Sequence, residues 1–281
     1  MRDTLRIRGV LTRLLLLAGM MVLACKIASA GEFRVFDATL YSHKPDLKAY
    51  GIEPLRVVYS QEMWMPGTNW TSLPSEDKVK RLATSIASES SIVALDVEHW
   101  PVIPAQGNVE RGLSNLLTLF RWYKANSSNV RIGYYSFPPA FDYWRAIKPK
   151  DHPEPMAWQA ENTALLPLAQ VVDVLFPSLY TFYPDREGWV RFAKANIAEA
   201  RRIGGGKPVY VFLWPQYHDS NRLLGLKYID REYWQLELKT AKEYADGIVI
   251  WGGYDLKQNK PQQWDENAPW WVETKAFLLQ Q

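Results

Sequence analysis

One stretch of the chain decides its fold: Ser91-Ile92-Val93-Ala94-Leu95-Asp96-Val97-Glu98-His99-Trp100. Its first half is apolar and partly β-branched, which is typical of a parallel strand buried on both faces. Alternation along the strand places Asp96 and Glu98 on one face, with Cα atoms roughly 6.5 Å apart. Neighbouring acids at a buried strand end disfavour joint ionisation, so we expect a raised pKa that suits general-acid catalysis. A purely structural acid pair is the alternative.

The same format, a short apolar strand followed by a loop and an amphipathic helix, recurs along the chain. Strands are predicted at residues 34–39, 55–60, 92–97, 130–136, 171–179, 208–213 and 247–251. Helices are predicted between them at residues 75–88, 112–125, 185–203 and 230–244. This alternation predicts an α/β protein with a parallel sheet, closed into a single TIM-like (β/α) barrel or a distorted form with seven to eight strands. A doubly wound open sheet is the alternative, but no Gly-x-Gly-x-x-Gly loop follows a strand.

The first thirty residues have the pattern of an export signal. Four arginines precede the apolar run 14–24, and the small residues Ala28-Ser29-Ala30 form a cleavage signal. The run is too short for a membrane span. We therefore expect residues 1–30 to be a signal peptide and residues 31–281 to be one catalytic domain. The processed protein is expected to be secreted or periplasmic. A lipoprotein-like box that ends at Cys25 leaves lipid anchoring as an alternative.

Cleavage after Ala30 changes the charge and the cysteine content. The whole chain has a formal net charge of +3, and the first thirty residues contain five basic groups and one acidic group. The remaining chain is therefore close to −1, which gives no reason to expect a nucleic-acid partner. Cys25 is the only cysteine, so no disulfide is expected in the exported form.

Aromatic residues follow the ends of most predicted strands. Because the carboxyl ends of parallel barrel strands meet at the functional face, these side chains should surround the acid pair. A ring of aromatics around two carboxyl groups is suited to a stacked, hydroxylated ligand, which predicts a carbohydrate partner. The candidate binding residues are Trp100, Tyr134, Tyr135, Tyr180, Tyr183, Trp214 and Trp251. The four histidines are scattered without metal-ligand spacing, so neither a metal nor another cofactor is expected.

Four segments, in order, resemble the animal and venom hyaluronidases, whose fold is a distorted α/β barrel. The segments are Leu95–Trp100 with its Asp-x-Glu, Gly133–Pro138, Phe176–Tyr180 and Gly247–Gly252. The resemblance implies a glycosidase acting on polymers that contain N-acetylhexosamine, with a substrate-assisted mechanism. The sequence departs from the family in two respects: it lacks the cysteines of the family's disulfides, and Pro139-Ala140-Phe141-Asp142 stands where the family has Asp-Cys-Tyr-Asn.

By position, the resemblance implies a role for each catalytic candidate. Glu98 would be the general acid/base, and Asp96 would orient the substrate acetamido group whose carbonyl oxygen attacks the anomeric carbon. Tyr135 and Tyr180 would hold that group, and Trp251 would line the subsite beneath it. Two alternatives stay open at this point. One is a conventional two-carboxylate glycosidase with Asp173 or Asp255 as the partner of Glu98, and the other is an inactive barrel that binds polysaccharide or protein.

Overall fold

A computed structural model describes residues 32–280, and the predicted signal peptide lies outside these residues. The strands of this part are β1 (Arg34–Thr39), β2 (Glu53–Pro54), β3 (Arg56–Tyr59), β4 (Ile92–Asp96), β5 (Arg131–Tyr134), β6 (Tyr210–Leu213), β7 (Gly247–Gly252), β8 (Tyr254–Asp255) and β9 (Lys260–Pro261). One sheet has the order β2-β1-β7-β6 and a second has the order β3-β4-β5. All pairings within these two sheets are parallel. The fold is therefore mixed α/β with parallel sheets, as the sequence predicts.

Residues 174–178 lie between the two sheets. Isolated parallel bridges join Phe176 to Tyr135, and Leu175 and Ser178 to residues of the β6 region. Pro177 has no N–H group to donate, so the segment does not form a continuous ladder. The strand predicted at 171–179 is thus reduced to single bridges, and its first residue belongs to a helix instead. At the other edge, Leu55 separates β2 from β3 and its N–H donates to the carbonyl of Asp37 at 2.9 Å.

The helices cover the sheets with their apolar faces. Their bounds are α1 (Ser60–Met63), α2 (Glu76–Ala87), α3 (Val109–Asn126), α4 (Tyr143–Ala146), α5 (Pro153–Ala164), α6 (Leu166–Val171), α7 (Arg186–Gly204), α8 (Arg231–Tyr244) and α9 (Pro269–Leu278). Side-chain caps fix several starts: Asp185 accepts from the N–H of Gly188 at 2.8 Å, and Asp230 accepts from that of Tyr233 at 2.9 Å. Gly205, at φ 60°, ends α7 in the left-handed conformation that glycine favours.

The four helices predicted from periodicity are present as α2, α3, α7 and α8, with ends that differ from the prediction by at most three residues. Sequence reasoning missed α1, α4, α5, α6 and α9. Three of these are short, and the faces of α5 and α9 are not clearly segregated into polar and apolar sides, so periodicity carries little signal there. None of the helices in residues 32–280 is long and apolar enough to cross a membrane.

Candidate active site

The two acids of the opening stretch lie at the end of β4. Asp96 is the last residue of β4 and is paired in register with Tyr59 on β3, whereas Glu98 follows in the turn. The turn is tied to its neighbour because the Ser60 hydroxyl donates to the carbonyl of Asp96 at 2.8 Å. Both carboxyl groups line a pocket of about 590 Å³, partly open to solvent, which we call the aromatic pocket. Both acids therefore lie in one site, but Glu98 reaches it from the turn and not from the face of a strand as predicted.

The environment of the pair raises both pKa values. Burial, and secondarily the charge of Glu98, raises the pKa of Asp96 to about 7. Glu98 keeps an exposed side chain because it borders open cavities, but surrounding protein atoms still raise its pKa through desolvation. As coupled acids, the two groups titrate as a pair, and the pair retains a proton up to about pH 7. This is the property that a general acid near neutral pH requires.

Two tyrosines form the floor of the aromatic pocket. The hydroxyl groups of Tyr135 and Ser178 are hydrogen-bonded at 3.1 Å, and the rings of Tyr135 and Tyr180 lie 5.9 Å apart. Burial raises the pKa of both phenols, so both stay neutral and can donate hydrogen bonds. Beside Tyr180, the hydroxyl of Thr181 donates to Glu237, a fully buried residue of α8 whose pKa is raised by burial. This contact fixes the backbone that carries Tyr180.

Trp251, on β7, forms a wall of the aromatic pocket. Its ring is stacked on Tyr180 with centroids 5.8 Å apart and meets Trp214 edge-to-face at 4.9 Å. Its indole N–H donates to the hydroxyl of Tyr59 at 3.0 Å. Gly252 permits this arrangement: at φ 141°, a Cβ there would lie 3.1 Å from the Trp214 ring. Trp251 is therefore held on three sides, with one part of its ring facing the pocket.

Sequence reasoning missed several residues of the aromatic pocket. Tyr59 is the last residue of β3 and lies one residue before the end of the strand predicted at 55–60, so the same search for aromatic residues at strand ends could have found it. His218 and Asp219 come from the loop after β6, and their side chains lie 3.1 Å apart. Burial lowers the pKa of His218, so it is neutral near pH 7. Sequence reasoning marked Trp214 at the start of this loop, but no sequence signal marked His218 or Asp219. The remaining lining residues are apolar: Val57, Phe212 and Leu256.

A second cavity of about 470 Å³ adjoins Glu98, and we call it the outer cavity. Its polar lining consists of Glu98, Gln106 and Ser136, and its apolar lining consists of Val102, Ile103, Phe137, Ala140 and Phe141. Ser136 ends the strand region in the left-handed conformation, at φ 73°, which is uncommon for a residue with a side chain. Glu98 is the one described residue that lines both the outer cavity and the aromatic pocket.

Three predicted binding residues do not line either cavity. Tyr134 points to the opposite face of β5, where it is fully buried and donates to the carbonyl of Leu116 at 2.8 Å. Trp100 is buried beyond the turn and donates to the carbonyl of Trp70 at 2.9 Å. Tyr183 is half-buried beside Trp144, with ring centroids 5.0 Å apart. Adjacent strand residues face opposite sides, which explains why Tyr135 reaches the pocket and Tyr134 does not.

The two carboxylates considered as partners of Glu98 also lie elsewhere. Asp173 accepts hydrogen bonds from the Lys124 ammonium at 2.7 Å and the Ile132 amide at 3.0 Å, so it holds α3 against β5. Asp255 accepts from the amides of Lys257 and Gln258, both at 2.9 Å, and shapes the turn after β8. Neither lines the aromatic pocket. Within residues 32–280, no group of three His, Cys, Asp or Glu side chains is arranged to hold a metal ion.

An acid pair with raised pKa values, enclosed by tyrosine hydroxyls and tryptophan rings at the carboxyl ends of parallel strands, defines a candidate carbohydrate-processing site. No family model and no curated protein matches the sequence. Among solved structures, the fold is similar to that of bee venom hyaluronidase, with a TM-score of 0.63 and 18% identity over 89% of this chain and 95% of that chain. The same enzyme in complex with a hyaluronic acid tetramer matches equally, with a TM-score of 0.63.

A more distant structural neighbour is a modular endo-beta-1,4-mannanase from Cellulomonas fimi. Its TM-score is 0.52 at 11% identity, over 82% of this chain and 55% of that chain. The likeness to the bee venom enzyme confirms the resemblance indicated by the four sequence segments, as a distant relation at the level of the fold.

Proposed function

We propose that this protein is a glycoside hydrolase in which Glu98 is the general acid/base. The observation that carries the proposal is the position of Glu98 between two cavities. A glycosidic bond that crosses from one cavity to the other places its oxygen beside this carboxyl group. The sugar whose anomeric carbon forms the cleaved bond would occupy the aromatic pocket, and the leaving-group sugar would occupy the outer cavity.

The proposed reaction is substrate-assisted hydrolysis of an N-acetylhexosaminide. Glu98 donates its proton to the glycosidic oxygen as the bond between that oxygen and the anomeric carbon breaks. The acetamido carbonyl oxygen bonds to the anomeric carbon and forms an oxazoline-like ion. Water then attacks this carbon, giving its proton to the Glu98 carboxylate as the bond to the acetamido oxygen breaks. Two successive displacements retain the anomeric configuration and return Glu98 to its starting state.

The other pocket residues support this assignment. Asp96 is placed to accept from the acetamido N–H, which strengthens the attacking carbonyl, and Tyr135 and Tyr180 supply neutral hydroxyl groups beside it. Trp251 supplies an apolar surface on which the pyranose ring stacks. The substrate class is a polysaccharide that contains N-acetylhexosamine, whether a hyaluronan-like glycosaminoglycan or a related polymer.

We further propose that the two parallel sheets form one closed, distorted barrel and that the protein is exported. The bridges of residues 174–178 to β5 and β6, and the hydrogen bond of Leu55 to Asp37, support closure. The basic, apolar and small-residue regions of residues 1–30 support export by signal peptide. Amino-terminal sequencing of the exported protein tests the expected cleavage after Ala30; an intact residue 1 or a lipid on Cys25 contradicts it.

Proton NMR of the first-formed product tests the mechanism. Retention of the anomeric configuration, inhibition by a thiazoline analogue of the oxazoline, and no cleavage of the de-N-acetylated substrate are expected. Inversion contradicts the proposal, as does a covalent glycosyl-enzyme trapped on a carboxylate.

One observation supports the conventional two-carboxylate alternative. Asp219 brings a further carboxylate to the aromatic pocket. Labelling of Asp219 by a mechanism-based fluoroglycoside would establish that alternative, and substrate binding with no turnover of any glycan would establish an inactive, polysaccharide-binding protein.

A further inference from the structure

The charge of the two cavities bears on which polymer the site accepts. The described residues that line the aromatic pocket and the outer cavity include three acids, Asp96, Glu98 and Asp219. They include no lysine and no arginine. His218 is the remaining group that could carry positive charge, and burial lowers its pKa. The site therefore offers no cation to a negatively charged sugar on either side of Glu98.

Basic side chains close in sequence to the site residues do not line it. Lys257, beside Leu256, is exposed and is not among the residues that line the aromatic pocket. Arg56, beside Val57, is paired with Glu62 and also donates to a backbone carbonyl. Arg145, on α4 after the outer-cavity loop, is bound by both Asp142 and Glu161. Arg111 lines a further cavity that shares Gln106 with the outer cavity, but not the outer cavity itself. None of these four basic residues lines a cavity that contains Glu98.

Hydrogen bonds hold both walls of the outer cavity in place, and those of the Ala140 wall are buried. The N–H of Ala140 donates to Asn162 at 2.8 Å, and its carbonyl accepts from the Trp158 indole at 2.7 Å. On the facing loop, Gln106 accepts from the N–H of Val102 at 2.9 Å. Both Asn162 and Trp158 are buried on α5. The apolar surface is thus a fixed feature of the fold, and no rearranged side chain is needed to explain it.

We propose that the enzyme selects uncharged N-acetylhexosamine polymers and disfavours those whose leaving-group sugar is a uronate. The inference rests on the proposed function, because it assigns the outer cavity to the leaving group. In hyaluronan each N-acetylglucosamine alternates with a glucuronate, so cleavage beside the acetamido sugar puts a carboxylate into the outer cavity. There it meets apolar side chains and the Glu98 carboxyl, without a cation to offset the cost of removing it from water. In a chitin-like polymer the same position holds a neutral sugar.

Three oligosaccharides of equal length separate charge from linkage: chitotetraose, a hyaluronan tetrasaccharide, and the same tetrasaccharide with its carboxyl groups reduced to alcohols. Binding to wild type and to Glu98→Gln is followed by tryptophan fluorescence, and cleavage by wild type is followed by reducing ends. The two neutral ligands are expected to bind at least tenfold more tightly than hyaluronan. Added salt should narrow the difference, because it screens the repulsion between like charges.

A variant that adds a positive charge to the outer cavity tests whether the preference for neutral ligands arises there. Ile103 is half-buried there, so a lysine can keep its stem on the apolar surface and its ammonium toward water. Ile103→Lys is expected to reduce the preference for the neutral tetrasaccharide by severalfold. Leu279→Lys adds the same charge at an 89% exposed position outside both cavities and should leave the ratio unchanged.

The outcomes separate the two claims. Equal or tighter binding of unreduced hyaluronan overturns the selectivity, as does an unchanged ratio in folded Ile103→Lys. A neutral preference in binding without any hydrolysis overturns the proposed enzyme but keeps the charge selectivity of the site. Failure to bind all three ligands overturns both.

Discussion

The indole nitrogen of Trp251 donates a hydrogen bond to the hydroxyl of Tyr59 at 3.0 Å, across 192 residues of sequence. This bond connects the ends of β7 and β3, which belong to different sheets. It fixes the tilt of the Trp251 ring, which Tyr180 and Trp214 contact on its other sides. The position of the pocket wall therefore depends on both sheets.

Trp251→Ala is expected to raise KM by about tenfold or more with a smaller effect on kcat, because it removes binding surface. Tyr59→Phe should act in the same direction but more weakly, by about two- to tenfold, since it removes one hydrogen bond. Steady-state kinetics on an N-acetylhexosamine oligomer measures both. Tyr228→Phe is the control, because its hydroxyl bonds Tyr41 and Gln262 outside the pocket. A fall in kcat alone would show that Trp251 acts on the chemistry.

Glu98→Gln should reduce kcat by about 10²–10⁴-fold, the usual contribution of a general acid. The amide has nearly the same shape but no acidic proton, so the thermal midpoint and ligand affinity should change little. Glu110→Gln on the exposed start of α3 removes the same charge away from the site and should retain full activity. If Glu98→Gln kept more than a tenth of the wild-type rate, Glu98 would not be the acid.

Asp96→Asn should slow the reaction and also change its pH dependence. With both acids present, repulsion between the two carboxylates helps the pair to keep one proton up to about pH 7, and Asp96→Asn leaves Glu98 without that repulsion. The proton is then lost at lower pH, and the basic limb of the kcat/KM profile moves toward acid. Profiles of wild type and variant between pH 4 and pH 9 measure the shift. Superimposable basic limbs would show that the two groups do not interact.

The same substitution should alter stability in a pH-dependent way. The pKa of Asp96 rises from about 4 in the unfolded chain to about 7 in the fold, so folding favours its protonated form. The free energy of unfolding therefore falls as pH rises from about 4 to about 7. Asp96→Asn removes this loss, with an upper limit of about 4 kcal/mol. Urea unfolding should show the variant to be more stable than wild type at pH 8 and similar to it at pH 4; a difference independent of pH contradicts this assignment.

Tyr135→Phe should chiefly lower kcat, because its hydroxyl is proposed to hold the acetamido group as that group attacks. Its neighbour provides a matched control: Tyr134→Phe also removes a buried hydroxyl, but one that bonds the Leu116 carbonyl in the core. That control is expected to lower the melting temperature without changing kcat in the folded protein. A selective rise in KM for Tyr135→Phe would assign Tyr135 to ground-state binding instead.

The sequence by itself determined the main strands, the four longest amphipathic helices and the central acid pair. Apolar runs and helical periodicity located most strands and four helices, because both signals depend on residues close together in the chain. Alternation along the predicted strand put Asp96 and Glu98 on one face, and both line the pocket although Glu98 lies in the turn after β4. The search for aromatic residues at strand ends found Tyr135, Tyr180, Trp214 and Trp251. These inferences need only local geometry and the knowledge that parallel strands share one functional edge.

Only the tertiary structure decided which aromatic side chains face the pocket and what else reaches it. The register and pleat of β5 direct the side chain of Tyr135 into the pocket and that of Tyr134 into the core. A shift of the strand register by one residue would exchange the two. His218 and Asp219 enter through a loop whose path depends on packing against Tyr180 and Phe182. The outer cavity exists because α5 anchors Ala140 opposite the Val102 loop. Such contacts join residues distant in sequence, and no local pattern encodes them.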